Sequence, residues 1–143
     1  MNKLILYTLF TFLVCSCEPR EVDTIDVRKV WQAGTVKENG KMVYNRTDTL
    51  GSKTGYARFR LNLRQINTVS FTDFDGRDRT GNWSLANQYQ TLLLSNMTTS
   101  AKDTTTRVKF DILNQGGSTL KLKRTIEGAK SALILREYEL IPE

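Results

Sequence analysis

Between Val27 and Ile141, apolar and polar residues alternate with a period of two, and Gly, Asn and Asp punctuate the alternation. That period places successive side chains on opposite faces of a half-buried strand. The run from Tyr56 to Arg64 is the clearest case: Ala57, Phe59, Leu61 and Leu63 share one face, and Tyr56, Arg58, Arg60, Asn62 and Arg64 the other. The same pattern predicts strands over residues 27–37, 41–47, 68–74, 79–85, 91–97, 105–113, 119–124 and 132–141. Asn39-Gly40 and Asp75-Gly76 read as tight hairpin turns, because these residues tolerate positive φ. Asn87-Gln88 and Gly116-Gly117 mark further turns, and 48–55 reads as a loop. Leu92-Leu93-Leu94 predicts a strand buried on both faces near one end. No helical stretch interrupts the series. The expected fold is therefore all-β, an antiparallel up-and-down meander of eight to nine strands. Open sheet edges invite aggregation, and closing the meander into a barrel removes them. A flattened sandwich is the competing architecture. An eight-stranded barrel has room for a packed interior or for one small ligand.

The ends of the chain carry a different signal. Lys3, the apolar run Leu4–Val14 and the small residue Ser16 read as a secretory leader too short to span a bilayer. Val14-Cys15-Ser16-Cys17 looks like a bacterial lipobox, in which diacylglycerol is attached through the cysteine sulfur. Cys17 fits better than Cys15, since Val14 is bulky for a cleavage position, and one intervening residue strains a Cys15–Cys17 disulfide. The expected organisation is a signal peptide over 1–16, a lipidated tether over 17–26 with an acyl chain of the palmitate kind on Cys17, and one barrel domain over 27–143. Lys3 leaves with the leader, so the formal charge falls from +6 to +5. Basic residues are scattered along the strands rather than clustered with aromatics, which disfavours a nucleic-acid partner. The expected partners are a membrane through the lipid, a small ligand, and an envelope protein. The address is the cell envelope, with the outer membrane as the expected site.

The chemistry-bearing residues argue against an enzyme. The chain has no histidine, and both cysteines lie at positions 15 and 17. Ser-His-Asp and Cys-His machinery and the usual zinc sites are thereby removed, and no cofactor is implied. Glu137 and Glu139 share a strand face and form a carboxylate pair, which a solvated face explains as well. Asp73, Asp75 and Asp78 surround Gly76 and offer hard oxygen ligands of the kind calcium takes. Asp-Gly is equally the composition of a hairpin turn. Arg58, Arg60 and Arg64 are read as outward, because Phe59, Leu61 and Leu63 claim the inside; facing inward, they would hold a carboxylate or phosphate. Asp23-Thr24-Ile25, Asp48-Thr49-Leu50 and Asp103-Thr104-Thr105 resemble O-glycosylation acceptors of Bacteroidetes-type bacteria.

Four segments together resemble the lipocalin-like lipoproteins of Bacteroidetes-type bacteria, part of the calycin group. They are Trp31 near the start of the first strand, Phe71–Gly76 leading to Gly81-Asn82-Trp83-Ser84-Leu85, Leu92-Leu93-Leu94, and Phe110-Asp111-Ile112-Leu113 followed by Thr119-Leu120-Lys121-Leu122. Lys29 stands where that family usually has glycine. The resemblance implies a basic residue from a late strand on Trp31, for which Arg124 and Arg136 both qualify. It also implies non-enzymatic binding of a small hydrophobic or amphipathic ligand, although one fold hosts many functions. Trp31, Phe59, Leu61, Phe71, Trp83, Phe110 and Tyr138 are the expected cavity walls; the same side chains would equally fill a packed core. In the second case the chain is a structural or accessory envelope lipoprotein that acts through protein contacts.

Overall fold

A computed structural model describes residues 26–48, 51–99, 107–114, 117–128 and 131–143. The leader, Cys17, most of the tether, Gly116 and all or part of each Asp-Thr motif lie outside the described residues. The alternating segments form strands β1 (Val30–Glu38), β2 (Lys41–Asn45), β3 (Arg60–Asn62), β4 (Thr68–Thr72), β5 (Asp78–Ala86), β6 (Thr91–Thr99), β7 (Arg107–Ile112), β8 (Leu120–Glu127) and β9 (Leu133–Pro142). Each pairs antiparallel with its neighbour in the order β1-β3-β4-β5-β6-β7-β8-β9. The last strand returns to the first, from Trp31↔Pro142 to Glu38↔Arg136. Eight strands thus close a barrel of lipocalin-like form. β2 is an extra strand. It lies opposite β9 along the far half of β1, while β3 takes the near half at Val30–Gln32.

Two glycines set the register. β1 and β9 slip by one residue between Ala33 and Thr35. The bulge sits at Gly34, where a Cβ would lie 3.1 Å from the Glu139 carbonyl oxygen. It switches the inward phase, so Trp31 and Ala33 are buried before it and Val36 after it. A second slip falls between Thr80 and Asn82 of β5. There a Cβ on Gly81 would meet the Ser95 carbonyl at 2.5 Å.

The segment expected as a third long strand is shorter than its alternation. Residues Thr54–Arg58 form a 3-10 turn, and only Arg60–Asn62 pair as strand. Side chains three apart face the same way in such a turn. Tyr56 and Phe59 therefore both point inward and are buried, while Ala57 is exposed. Arg58, Arg60 and Arg64 are exposed, and Arg60 is held by Glu143 at 2.6 Å. In β6, Leu92 and Leu94 face the core and Leu93 is half-buried on the outer face.

The interior is a chain of rings. Phe59 stacks on Tyr138 at 4.9 Å, and Phe71 meets Phe59 at 5.6 Å and Phe110 at 6.0 Å. Phe110 returns to Tyr138 at 6.0 Å. Edge-on contacts of this kind add to the area the rings bury. One end of the barrel, the base, carries the chain entry at Asp26–Lys29 and the β3–β4, β5–β6 and β7–β8 connections. Trp31 seals it: the side chain is fully buried and its Nε1–H donates to the Val27 carbonyl at 2.9 Å. The opposite end, the mouth, carries the β1–β2, β4–β5, β6–β7 and β8–β9 connections.

Candidate functional site

The inward phase of several strands runs on past the last apolar residue and delivers a charge at the mouth. Val36 is followed by Glu38, Phe71 by Asp73 and Leu122 by Arg124; Tyr138 is preceded by Arg136, and Arg79 pairs opposite Phe71. All five side chains are sequestered, between 9% and 14% exposed. Charges at this depth persist only when paired.

The pairs form two groups. In the first, Glu38 accepts from the Tyr56 hydroxyl at 2.5 Å, from Arg136 Nε at 3.1 Å, and from the Lys53 ammonium. The Arg136 guanidinium also lies over the Tyr56 ring at 5.4 Å and the Phe74 ring at 5.1 Å. Gly55 makes room for that arrangement, since a Cβ there would strike the Phe74 ring at 2.6 Å. Burial alone would raise the Glu38 carboxyl; the hydrogen bonds from Lys53 and Tyr56, with the charges of Lys53 and Arg136, outweigh it and hold the group below its ordinary range. Burial foremost, and then the bond to Glu38, pushes the Tyr56 phenol up.

In the second group, Arg124 Nη2 donates to Asp73 Oδ2 at 2.6 Å, and the guanidinium lies 5.3 Å above the Phe110 ring. Two buried polar atoms beside it have no hydrogen-bond partner among the described residues, Arg124 Nε and the Tyr138 hydroxyl. Burial is the main reason the Tyr138 phenol is raised. Asp75 pairs with Arg79 at 2.5 Å; that contact and the Arg77 backbone N–H overcome burial and lower its carboxyl. Asp78 accepts from the Thr72 hydroxyl at 2.5 Å. The three aspartates thus face three different partners, and no metal-binding group of His, Cys, Asp and Glu gathers among the described residues.

This second group floors an opening in the barrel wall. β7 and β8 pair only at Asp111↔Lys123 and Ile112↔Leu122. Towards the mouth the ladder ends, although β7 remains paired to β6 up to Arg107 and β8 to β9 up to Glu127. Between the splayed strands lies a cleft of about 380 Å³. Arg79, Arg107, Lys109 and Arg124 bring four cations to its lining against the carboxylates of Asp73 and Glu127. Phe71, Val108 and Ile126 supply its apolar wall. A pocket of apolar surface with a few convergent charges is the usual form of a small-ligand site.

The expected cavity walls are distributed unevenly around this cleft. Trp31, Phe59, Leu61, Phe71, Phe110 and Tyr138 are all buried in the interior, and of these Phe71 also borders the cleft. Trp83 is half-buried; it packs on the core while its Nε1–H reaches outward to the Gln65 carbonyl at 2.9 Å. Neither Arg124 nor Arg136 reaches Trp31, because their partners hold both at the mouth. The cation on that indole is Lys29, 5.8 Å from the ring centre, from the position where the family has glycine. Glu137 and Glu139 lie on the outer face, opposite Lys123 and Lys121 of β8. Sequence reasoning missed the buried ions at the mouth. Their signal was present as charges standing in the inward phase of otherwise apolar alternations. No protein-family model matches this chain, and no curated protein matches it either.

Proposed function

We propose that this chain is a lipid-anchored, non-enzymatic binding protein of the cell envelope, whose barrel takes a small amphipathic ligand at its mouth. The observation that carries the reading is the opening between β7 and β8, where cations outnumber carboxylates above an apolar wall. An anionic group would meet Arg107 and Lys109 at the rim and Arg124 below. The ligand's apolar part would lie along Phe71, Val108 and Ile126. The leader read over 1–16 and the lipobox ending at Cys17 support a lipid anchor at a membrane, with the outer membrane as the expected site.

Titration with dodecanoate, followed by calorimetry, tests the site. Saturable binding is expected. The double variant Arg107→Gln, Lys109→Gln, which alters exposed side chains only, should weaken it more than about tenfold, since a single charge-assisted hydrogen bond contributes about 1.5–3 kcal/mol. Absence of binding to the unaltered protein, or an affinity untouched by the double variant, overturns the reading.

The ring contacts at 4.9–6.0 Å along the axis support a second reading, in which function falls to the outer surface and an envelope protein is the partner. Under that reading dodecanoate has no effect and crosslinking in envelopes recovers one partner.

A further inference from the structure

The base of the barrel combines features that the mouth does not share. Its three connections read Leu-Arg-Gln-Ile-Asn over 63–67, Asn-Gln-Tyr-Gln over 87–90 and Leu-Asn-Gln-Gly-Gly-Ser-Thr over 113–119. They contain no carboxylate and one cation, Arg64. Asp26 and Glu143, where the chain enters and leaves, are each held by an arginine, at 3.2 and 2.6 Å. Large apolar side chains stand out from these same connections: Ile66 is 74% exposed, Tyr89 57% and Leu113 51%. The β5–β6 and β7 ends are tied together by the Ile112 N–H donating to the Gln90 carbonyl at 2.8 Å.

Tyr89 is held out by the backbone. Asn87, Gln88 and Tyr89 have φ of 51°, 54° and 66° in succession. Only asparagine among them adopts this region readily, and such strain gathers where a segment has a task.

We infer that the base of the barrel lies against a lipid bilayer, with Ile66, Tyr89 and Leu113 entering its interface. The inference rests on the anchor at Cys17 and adds an orientation to it. Val27 is buried beneath Trp31, so the chain leaves the barrel at this end. From Cys17 to Asp26 the chain reaches at most about 30 Å. An acyl chain on that sulfur therefore ties the chain entry, at this end, to within about 30 Å of the membrane, and the exposed Ile66, Tyr89 and Leu113 favour contact by this end. Tyrosine suits the position, with an apolar ring and a polar tip. Amides and Arg64 in the connections, Arg28 and Lys29 at the chain entry, and carboxylates each paired with a cation (Asp26, Asp111 and Glu143, at 3.2, 3.5 and 2.6 Å) make a face that anionic headgroups do not repel.

The mature chain has no thiol besides Cys17, which acylation blocks. Single cysteines at the exposed positions can therefore carry a nitrobenzoxadiazole probe. The lipidated protein is bound to vesicles of phosphatidylethanolamine and phosphatidylglycerol and recovered by flotation. Probes at Ile66→Cys, Tyr89→Cys and Leu113→Cys should brighten and shift to the blue. Probes at Met42→Cys and Leu133→Cys, exposed near the mouth, should stay as in water. Equal response at both ends, or silent base probes on protein that floats, overturns the orientation and leaves the anchor standing. Protein that fails to float overturns the anchor, and this face with it. Base probes that respond in native envelopes but not on vesicles show a protein cover and overturn the lipid assignment.

Discussion

The two ends of this barrel are closed by different physics. At the base, Trp31 and Val27 bury apolar surface and satisfy the indole N–H with a backbone carbonyl. At the mouth, Glu38, Asp73, Arg124 and Arg136 close the interior with ion pairs and ring contacts. An apolar plug gains from every Å² taken from water and is indifferent to pH. Buried ion pairs offset their own desolvation at best, so they stabilise little relative to an apolar alternative. Among the described residues such pairs stand at one end only, around the cleft, where the proposed ligand would meet them. The comparison teaches that one end of the barrel is closed by apolar burial and the other by paired charges.

The sharpest way to break that contrast is Trp31→Ala. It empties the base and should cost about 3–5 kcal/mol in denaturant unfolding, the range for a large buried aromatic. A cost under about 1 kcal/mol would mean the base is not what holds the barrel shut. Next comes Glu38→Gln at the mouth. It leaves Arg136 and Lys53 without their carboxylate and should cost about 2 kcal/mol at neutral pH.

That variant also sharpens the comparison through pH. Glu38 and Asp75 are both held below their ordinary values of 4.5 and 3.8 in the fold. Each then contributes stability that is full above the ordinary value and is lost as pH falls through the lowered one. Unfolding free energy should drop from about pH 5 downward, and Glu38→Gln should make that drop shallower. An unchanged acid slope would remove Glu38 from the mouth's stabilising network. The smallest effect is expected at Lys29→Met. It keeps the stem and deletes the cation over Trp31, at a cost of about 0.5 kcal/mol. A cost rivalling that of Trp31→Ala would show the base depending on charge after all.

The strand pattern was legible because burial in a closed sheet repeats every two residues. Asn39-Gly40 gave a true two-residue turn, with φ of 50° and 79°; at Asp75-Gly76 only the glycine takes positive φ, 70°, in a five-residue connection from Thr72 to Asp78 whose turn closes from Gly76 N–H to the Asp73 carbonyl. Alternation failed where the backbone left the strand. Tyr56 and Ala57 exchanged faces in the 3-10 turn, and Gly34 shifted the phase of β1 without changing its residue types. The candidate site was less legible. Phe71 was singled out, but Arg79, Arg107 and Lys109 counted only among the basic residues scattered along the strands, and Arg124, one of two candidates for Trp31, lies over Phe110 instead.

Composition and period by themselves determined an all-β antiparallel meander and a chain without histidine, since those depend only on which residues occur and in what rhythm; closure into a barrel came from the β1–β9 pairing. Which charges meet was decided by the tertiary structure alone. Glu38 and Arg136 are 98 positions apart and meet through the closing β1–β9 ladder, and Asp73 and Arg124 are 51 apart. The cleft, likewise, exists because one ladder stops two pairs into its course. Local sequence carries no record of where a pairing ends, because that is set by the twist and closure of the whole sheet.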